Sequence, residues 1–331
     1  MATRKSTPTG KDGSPSRPTD GLGRDGSPSR PAKAPAGTVA KPVVRGVAIS
    51  SATRVMFPDQ GITKLDLAAY MDAVAEWMLP HVVDRPLSLL FCPDGIAGEC
   101  VYLKHGKAGS PASLRRITIR EKTKADVYMV ADTPEALVAL MQMNWVEVHT
   151  WNSCAASIEQ PDRIIIDLDP GPDVRWPQVV AAARDTRTVL ESLGLQAWVK
   201  TTGGRGLHVV VPLLDGVSWR AGFDAGGQVA EALVGENPKL YTTAFAKDGR
   251  EAQILVDVLR NRRGSTSVSA YSPRARAGAT VSTPIAWDEL SARKPPDRFT
   301  VRTIPSRLKK LGADPWHGYW TCRQGLQSHK S

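Results

Sequence analysis

The sequence predicts an α/β fold in which strands and helices alternate along most of the chain. Runs rich in Val, Ile and Leu alternate with segments whose apolar residues recur at helical spacing, and turn residues separate the two kinds. Such interleaving is typical of a sheet covered by helices. At 331 residues and 41% hydrophobic content, the chain can bury a sizeable core. Its apolar runs fall well short of the ~20 residues that cross a bilayer, so we expect no membrane partner.

Residues 1–43 are predicted to form a disordered basic tail or linker, followed by one folded domain over 44–331. The tail is rich in Gly, Pro and Ser and cannot bury enough apolar surface to offset the entropy of ordering. It repeats KDGSPSRP (11–18) as RDGSPSRP (24–31). Much of the net charge of +10 lies in this segment. Such an excess suits a polyanionic partner such as nucleic acid. A solvated tether without specific contacts is the alternative.

The cysteines and the start of the chain favour a reduced, cytoplasmic compartment. Cys92, Cys100, Cys154 and Cys322 form no CxxC pair, so we expect neither a zinc ribbon nor a redox site. The first residues, MATRKSTPTG, lack the apolar stretch of a secretory signal.

The first half of the domain predicts a helix, a strand, and then a helix that leads into a strand. Thr63 is placed to cap the first helix, with Asp66 three residues on, and Pro80 is predicted to end it. A short apolar run bounded by prolines (85–93) predicts a strand. Residues 133–149 begin with Thr-Pro and predict a helix followed by a strand.

The second half predicts a regular alternation of strands and helices. These elements are a strand (163–168), a helix (176–193), a strand (196–200), a strand (207–213), a helix (219–234) and a strand (253–259).

Two carboxylates end the first strand of this half, which has the sequence IIIDLDP. Because side chains alternate along a strand, Asp167 and Asp169 project from the same face. Two ionised carboxylates this close repel each other, and a cation would compensate them. Hard divalent cations such as Mg²⁺ and Mn²⁺ prefer such oxygen ligands. The alternative is a strand end with solvated turn aspartates.

A glycine turn follows about thirty residues later, in WVKTTGGRGLHVVVPL (198–213). Glycines permit positive φ and expose backbone N–H groups in a concave turn that suits a phosphate. Thr201 or Thr202 adds a hydroxyl and Arg205 a planar cation, and His208 lies on the next strand. The segment matches neither the P-loop nor the Rossmann motif. By itself it is more typical of a hairpin with an ordinary histidine.

A third motif is the single acid Asp257 within the apolar run AQILVDVLRNRRG (252–264). An acid in such a strand is unusual, and it would make sense as a third ligand from a neighbouring strand. Three carboxylates, a phosphate-friendly turn and clustered arginines together indicate two-metal phosphoryl or nucleotidyl transfer.

At these motifs the chain resembles the polymerase domain of bacterial DNA ligase D, in the archaeo-eukaryotic primase superfamily. The family's DxD strand matches Asp167 to Asp169, its T-S-G-G-K/R-G-L-H motif matches Thr201 to His208, and its lone strand aspartate matches Asp257. The resemblance implies a primase-like fold, with mixed sheets and covering helices around a central cleft. It makes 44–331 a primase-polymerase catalytic domain.

The resemblance further implies a polymerase of bacterial non-homologous end joining that adds nucleotides, often ribonucleotides, to a 3′-OH. Its cofactors would be two Mn²⁺ or Mg²⁺ ions, with an NTP or dNTP as substrate. Carried over by position, the metal ligands would be Asp167, Asp169 and Asp257. The residues that contact the incoming triphosphate would be Thr202, Arg205, His208 and Arg274.

Contacts with DNA are also implied by the resemblance. SATRVMFPDQGITK (51–64) resembles the segment that recognises a 5′-phosphate at a gap or recessed end, and Arg54 and Lys64 occupy its basic positions. Two solvated surface cations are the alternative. Tyr102 would stack on the template or end base, although Val101 stands where the family often has a second aromatic. Thr202 replaces the family's usual Ser.

The partners implied are DNA ends and gaps with a 5′-phosphate, a Ku protein, and a ligase domain or protein. The location implied is the bacterial cytoplasm, at the nucleoid when the protein is bound to DNA. Two other functions stay open at this stage. One is a catalytically weak DNA-end-binding module, and the other is a DxD glycosyltransferase that uses a nucleotide sugar.

Overall fold

The computed structural model describes residues 40–106, 109–121, 123–246 and 248–326. Nearly all of the predicted tail over 1–43 lies outside these residues, and its last residue, Val43, begins the first strand. From Lys41 onward the described chain forms one compact unit.

The described residues form five α-helices. Their bounds are α1 Lys64–Val82, α2 Pro134–Gln142, α3 Trp176–Ser192, α4 Trp219–Glu236 and α5 Ile304–Lys310. None of them is both long enough and apolar enough to span a bilayer.

The same residues form sixteen strands. Their bounds are β1 Val43–Val44, β2 Val47–Ala48, β3 Val55–Phe57, β4 Ile62–Thr63, β5 Leu87–Phe91, β6 Val101–Leu103, β7 Arg115–Arg120, β8 Ala125–Val130, β9 Trp145–Thr150, β10 Arg163–Pro170, β11 Trp198–Thr201, β12 Leu207–Pro212, β13 Tyr241–Thr242, β14 Ile254–Asp257, β15 Ser267–Val268 and β16 Pro284–Ile285.

Two larger sheets and three two-stranded pairs organise these strands. The six-stranded sheet has the order β13-β14-β10-β12-β11-β16, and its pairs are antiparallel except β13 with β14. The four-stranded sheet has the order β15-β9-β5-β6. The pairs are β1-β2, β3-β4 and β7-β8. The mixed α/β class predicted from the alternation of elements is thereby confirmed.

The two faces of β10 carry different chemistry because its side chains alternate. On one face, Ile164, Ile166 and Leu168 join the large core, where α3 and α4 contact the strand. On the other face, Ile165 packs in a small apolar cluster with Trp316. The next two side chains on that second face are the acids, so one face changes from apolar to acidic along the strand.

Helix α1 begins where the sequence predicts. The Thr63 hydroxyl accepts a hydrogen bond from the Asp66 N–H (3.2 Å), and the Asp66 carboxylate accepts one from the Thr63 N–H (2.8 Å). These two bonds close a capping box. The prediction that Pro80 ends the helix is wrong, because the helix continues to Val82. Proline removes only one intrahelical hydrogen bond there, and His81 and Val82 are buried in the final turn.

Strand β14 is shorter than predicted and ends at Asp257. A 3₁₀ turn, Leu259–Asn261, follows it. The side chain of Asn261 in that turn pairs with the backbone of Ile165, accepting from its N–H and donating to its carbonyl, both at 2.8 Å. The buried amide therefore continues the pairing of β10 beyond the end of β14, which satisfies backbone groups that would otherwise lack partners.

A disulfide joins Cys92 to Cys100 across the loop between β5 and β6. The spacing of the cysteines did not predict this pair. The β5–β6 connection folds back on itself and brings the two residues together, which a search for CxxC pairs cannot detect.

Candidate active site

Residues of both larger sheets and their loops line one cavity of about 820 Å³. It brings together eight of the ten side chains that the sequence singled out. These are Tyr102, Asp167, Asp169, Thr202, Arg205, His208, Asp257 and Arg274. The other two, Arg54 and Lys64, lie outside it, next to the β3–β4 pair and at the start of α1.

The three acids lie side by side on one face of the six-stranded sheet. Asp167 is paired directly with Asp257 across β10 and β14, and Asp169 lies two residues further along. Two arginines face them. Arg260 Nε lies 3.5 Å from Asp167 Oδ2 and 3.2 Å from Asp257 Oδ2, and Arg250 Nη2 lies 3.2 Å from Asp169 Oδ2. Among the described residues, no three His, Cys, Asp or Glu side chains converge into a formed metal site.

The acids perturb one another electrostatically. Burial raises the pKa of Asp257, Arg260 opposes this rise, and the neighbouring Asp167 adds to it. Burial alone would also raise the pKa of Asp167. There, however, His208 together with the cations Arg260 and Lys200 outweighs burial, and the pKa is lowered. The ionised row therefore carries unfavourable energy that a further cation would relieve.

His208 extends the row onto β12. It is paired with Asp167 on one side and with Lys200 of β11 on the other, and its Nε2 lies 3.4 Å from Asp167 Oδ2. Burial and the Lys200 charge lower the pKa of His208 to about 4. The imidazole is therefore neutral near pH 7, with one N–H to donate.

Lys200 connects the two sheets behind this row. Its Nζ donates to the Val268 carbonyl of β15 (2.9 Å) and to the Ser282 hydroxyl (2.7 Å). Because β15 belongs to the four-stranded sheet, this buried lysine fixes that sheet against the carboxylate-bearing one.

The glycine turn between β11 and β12 approaches β10 closely. Gly203 has φ +68°, and a Cβ on Gly206 would lie 2.3 Å from the Leu168 carbonyl oxygen. The Thr202 hydroxyl is used within the turn, where it donates to the Gly206 carbonyl (3.1 Å) and accepts from the Gly204 N–H (3.2 Å). Arg274 Nη1 donates to the Thr202 carbonyl from outside the turn.

Arg205 is held differently from the other cavity arginines. Its Nη2 donates to the carbonyls of Pro172 (2.9 Å) and Val174 (2.7 Å), in the segment that follows β10. The side chain therefore ties the glycine turn to this segment. The contact of Arg205 with a triphosphate, expected from the resemblance, stays a prediction.

Arg54 and Lys64 form a separate basic pair. The Lys64 N–H donates to the Arg54 carbonyl (2.8 Å), and the Arg54 guanidinium donates to the carbonyl of Pro93. Lys64 is only 3% exposed, and burial and the Arg54 charge lower its pKa. Its ammonium makes no hydrogen bond or ion pair with another described residue. The alternative of two solvated surface cations therefore does not fit Lys64.

Several cavity residues were not singled out from the sequence. They are Lys104, His149, Arg250 and Arg276, whereas Arg260 belongs to the arginine cluster noted from the sequence. Glu147 and His149 alternate within an apolar strand as the DxD acids do, so the same signal could have found them. Arg260 follows Asp257 by three residues. Neighbouring Arg263 instead pairs with Glu159 (2.6 Å), away from the acids.

Comparison with known proteins decides the family. A sequence model of the family described as "LigD, primase-polymerase domain" matches residues 63–316, which is more than half of the chain. The chain belongs to the LigD primase-polymerase domain family. The resemblance noted from the motifs is thereby confirmed.

Curated relatives of the LigD family cover most of this chain. The Multifunctional non-homologous end joining protein LigD of Pseudomonas aeruginosa is 35% identical over 297 residues, or 89% of this chain and 35% of the relative. The protein of the same name from Mycolicibacterium smegmatis is 31% identical over 247 residues, or 74% of this chain and 32% of the relative. This chain thus spans about a third of the length of these relatives.

A solved LigD structure shares the fold. The structure described as "Polymerase Domain from Mycobacterium tuberculosis Ligase D in complex with DNA" matches with a TM-score of 0.78 and 27% identity. The match covers 84% of this chain and 99% of that one. It confirms the primase-like fold expected from the motifs.

The contacts of Arg205 lead to a stability prediction. Arg205→Ala removes two hydrogen bonds from a charged donor, so we expect the free energy of unfolding to fall by about 1–3 kcal/mol. Urea denaturation would measure the change. Arg276→Ala is the matched control, because this exposed arginine lines the same cavity and its side chain makes no hydrogen bond with a described residue. Equal stability of the two variants would contradict the anchoring role of Arg205.

Proposed function

We propose that this LigD-family domain is a DNA-end-directed nucleotidyltransferase of bacterial non-homologous end joining. It extends a 3′-OH at a break or gap with nucleotides, and ribonucleotides are the preferred substrates. The hydroxyl oxygen forms a bond to the α-phosphate, the bond to the β-phosphate breaks, and pyrophosphate leaves. The observation that carries the proposal is the row of three carboxylates facing a cavity whose other walls carry arginines.

The carboxylate row would hold two divalent cations, Mn²⁺ or Mg²⁺. Its donors are hard oxygens from two paired strands, and burial and mutual repulsion raise the pKa of Asp257. Asp167, Asp169 and Asp257 would hold the ions, with Arg260 and Arg250 moving aside from the carboxylates. When bound, the ions would lower the pKa of the attacking hydroxyl and neutralise the charge on the phosphates.

The chain's own groups orient the triphosphate. Arg274 and the neutral imidazole of His208 offer donors at the carboxylate row, and the Thr202 turn adds backbone N–H groups. Arg205 lies at the rim of the same turn and has its Nε and Nη1 left for phosphate oxygens.

Lys64 and Arg54 would recognise the 5′-phosphate of the downstream strand. Lys64 is 3% exposed and its ammonium has no hydrogen-bond or ion-pair partner among the described residues, which suits an anionic ligand. Lys64 is also the first residue of α1, where the helix dipole favours negative charge. Tyr102, 53% exposed at the cavity wall, would stack on the template or end base.

We also propose partners beyond DNA. Their names describe multifunctional end-joining proteins. This domain would act together with a ligase domain or protein and with a Ku protein, in the cytoplasm at the nucleoid.

The carboxylates give the first test. Asp167→Ala combined with Asp169→Ala should abolish nucleotide addition, a loss of at least about 10³-fold, since charge neutralisation at the phosphates is the main catalytic effect. The measurement is primer extension on a gapped duplex with Mn²⁺, together with DNA binding by anisotropy. DNA binding should stay near that of the unaltered protein.

Three results would count against the proposal. Near-normal extension by the double variant would show that the acids do not catalyse the transfer. No extension by the unaltered protein, with phosphate-dependent binding retained, would favour the end-binding module. Sugar transfer without any DNA dependence would favour the glycosyltransferase.

Lys64 gives a test of end recognition. Lys64→Met keeps the apolar stem and removes the charge, so we expect the preference for a 5′-phosphorylated over a 5′-hydroxyl gap to fall about ten-fold. Lys239→Met is the matched control, because Lys239 is an exposed lysine outside the cavity and away from α1. A phosphate preference that survives Lys64→Met, or that falls equally in Lys239→Met, would contradict the assignment.

A further inference from the structure

Glu147 is a buried carboxylate that borders the cavity without being one of its lining residues. It lies on β9 and is 3% exposed. Across the four-stranded sheet, Leu90 is paired with Glu147 on one side and with Tyr102 on the other. The three side chains therefore leave the same face of the sheet.

One oxygen of Glu147 meets three side chains that do line the cavity. His149 Nε2 lies 2.8 Å from Oε2, the Tyr102 hydroxyl donates to it at 3.2 Å, and Arg274 Nε lies 3.1 Å from it. The other oxygen, Oε1, accepts from the backbone N–H of Ala275 at 2.9 Å. Every contact of this carboxylate thus reaches the cavity wall or the segment that carries Arg274.

The charge of Glu147 is well compensated. Burial alone would raise its pKa, but the hydrogen bond from His149 and the Arg274 charge outweigh burial and lower the pKa to about 2. A buried carboxylate that stays ionised binds its hydrogen-bond donors more strongly than a neutral group would. Its partners are consequently fixed in one arrangement.

We propose that Glu147 is a positioning residue that couples the base-stacking position of Tyr102 to the triphosphate-binding position of Arg274. This inference rests on the proposed function, because it needs a base at Tyr102 and a triphosphate at Arg274. Neither the carboxylate row nor the 5′-phosphate pair requires it.

The physical basis is that Tyr102 and Arg274 share one oxygen, Oε2 of Glu147. Tyr102 is 53% exposed and is held on the protein side by its hydroxyl bond and by an edge contact with His149, with ring centroids 5.4 Å apart. A base that stacks on the ring holds the hydroxyl against Glu147 Oε2. That oxygen then keeps Arg274 in the orientation in which its Nη1 meets the Thr202 carbonyl. The domain would thus bind a triphosphate more tightly when a templating base is present.

Inorganic tripolyphosphate tests this coupling, because it has no base that could pair with the template. Its Kd would be measured by calorimetry with Mn²⁺ on two gapped duplexes, which carry either a base or an abasic residue at the templating position. The duplexes have the same charge and length. For the unaltered protein we expect binding about five-fold tighter with the base present. In Tyr102→Phe and in Glu147→Gln, the ratio of the Kd on the abasic duplex to the Kd on the base-containing duplex should fall to about one.

Tyr102→Phe removes only a hydroxyl from an exposed side chain and keeps the stacking ring, so it carries the test even if Glu147→Gln folds poorly. Tyr241→Phe is the matched control, because its hydroxyl also donates to a carboxylate, Asp185 (2.5 Å), outside the cavity. It should keep the ratio of the unaltered protein. Unchanged ratios in both Glu147→Gln and Tyr102→Phe would overturn the coupling.

Failure of the proposed function would look different. A protein that extends primers but shows a ratio of one overturns only the coupling. A protein that neither extends primers nor binds tripolyphosphate overturns the proposed function together with the coupling.

Discussion

Repulsion between Asp167 and Asp257 is the constraint on which the rest of the site depends. The two acids are paired across adjacent strands, where register leaves them no freedom to separate. A sheet that carries such a pair needs positive charge close by, and Arg260 supplies it to both acids at once. Loss of folding stability at such a point is common in catalytic sites, where functional groups are held in energetically unfavourable positions.

The remainder of the fold makes this arrangement rigid. On the face that carries the acids, Ile165 precedes them in an apolar cluster, so the strand is anchored before it reaches its acidic end. The Asn261 amide completes its backbone pairing beside that cluster. Lys200 then fixes the second sheet through the Val268 carbonyl, which places the cavity between two supported walls. A rigid cavity of this kind suits chemistry that depends on positioning phosphates.

Local patterns in the sequence predicted most of the fold and the centre of the site. Alternation along 163–168 and the lone acid at Asp257 predicted carboxylates on one face of neighbouring strands, as the register shows. The β7–β8 hairpin was missed, although only β7 is largely exposed and the second half of β8 is buried. The hydrogen bonds of Arg205 to backbone carbonyls and the contacts of Glu147 could not be predicted, because both depend on how distant segments pack. The Cys92–Cys100 pair was missed for the same reason.

The measurement that tests the account most directly is a count of bound Mn²⁺ by electron paramagnetic resonance, with a non-hydrolysable nucleotide present. Asp257→Asn is the variant of choice, since the amide oxygen can still accept the hydrogen bond that the Leu259 N–H makes at 2.7 Å. The account predicts about two ions on the unaltered protein and fewer on the variant. Equal Mn²⁺ binding by both proteins, or none by the unaltered protein, would contradict the claim that the carboxylate row is a metal site.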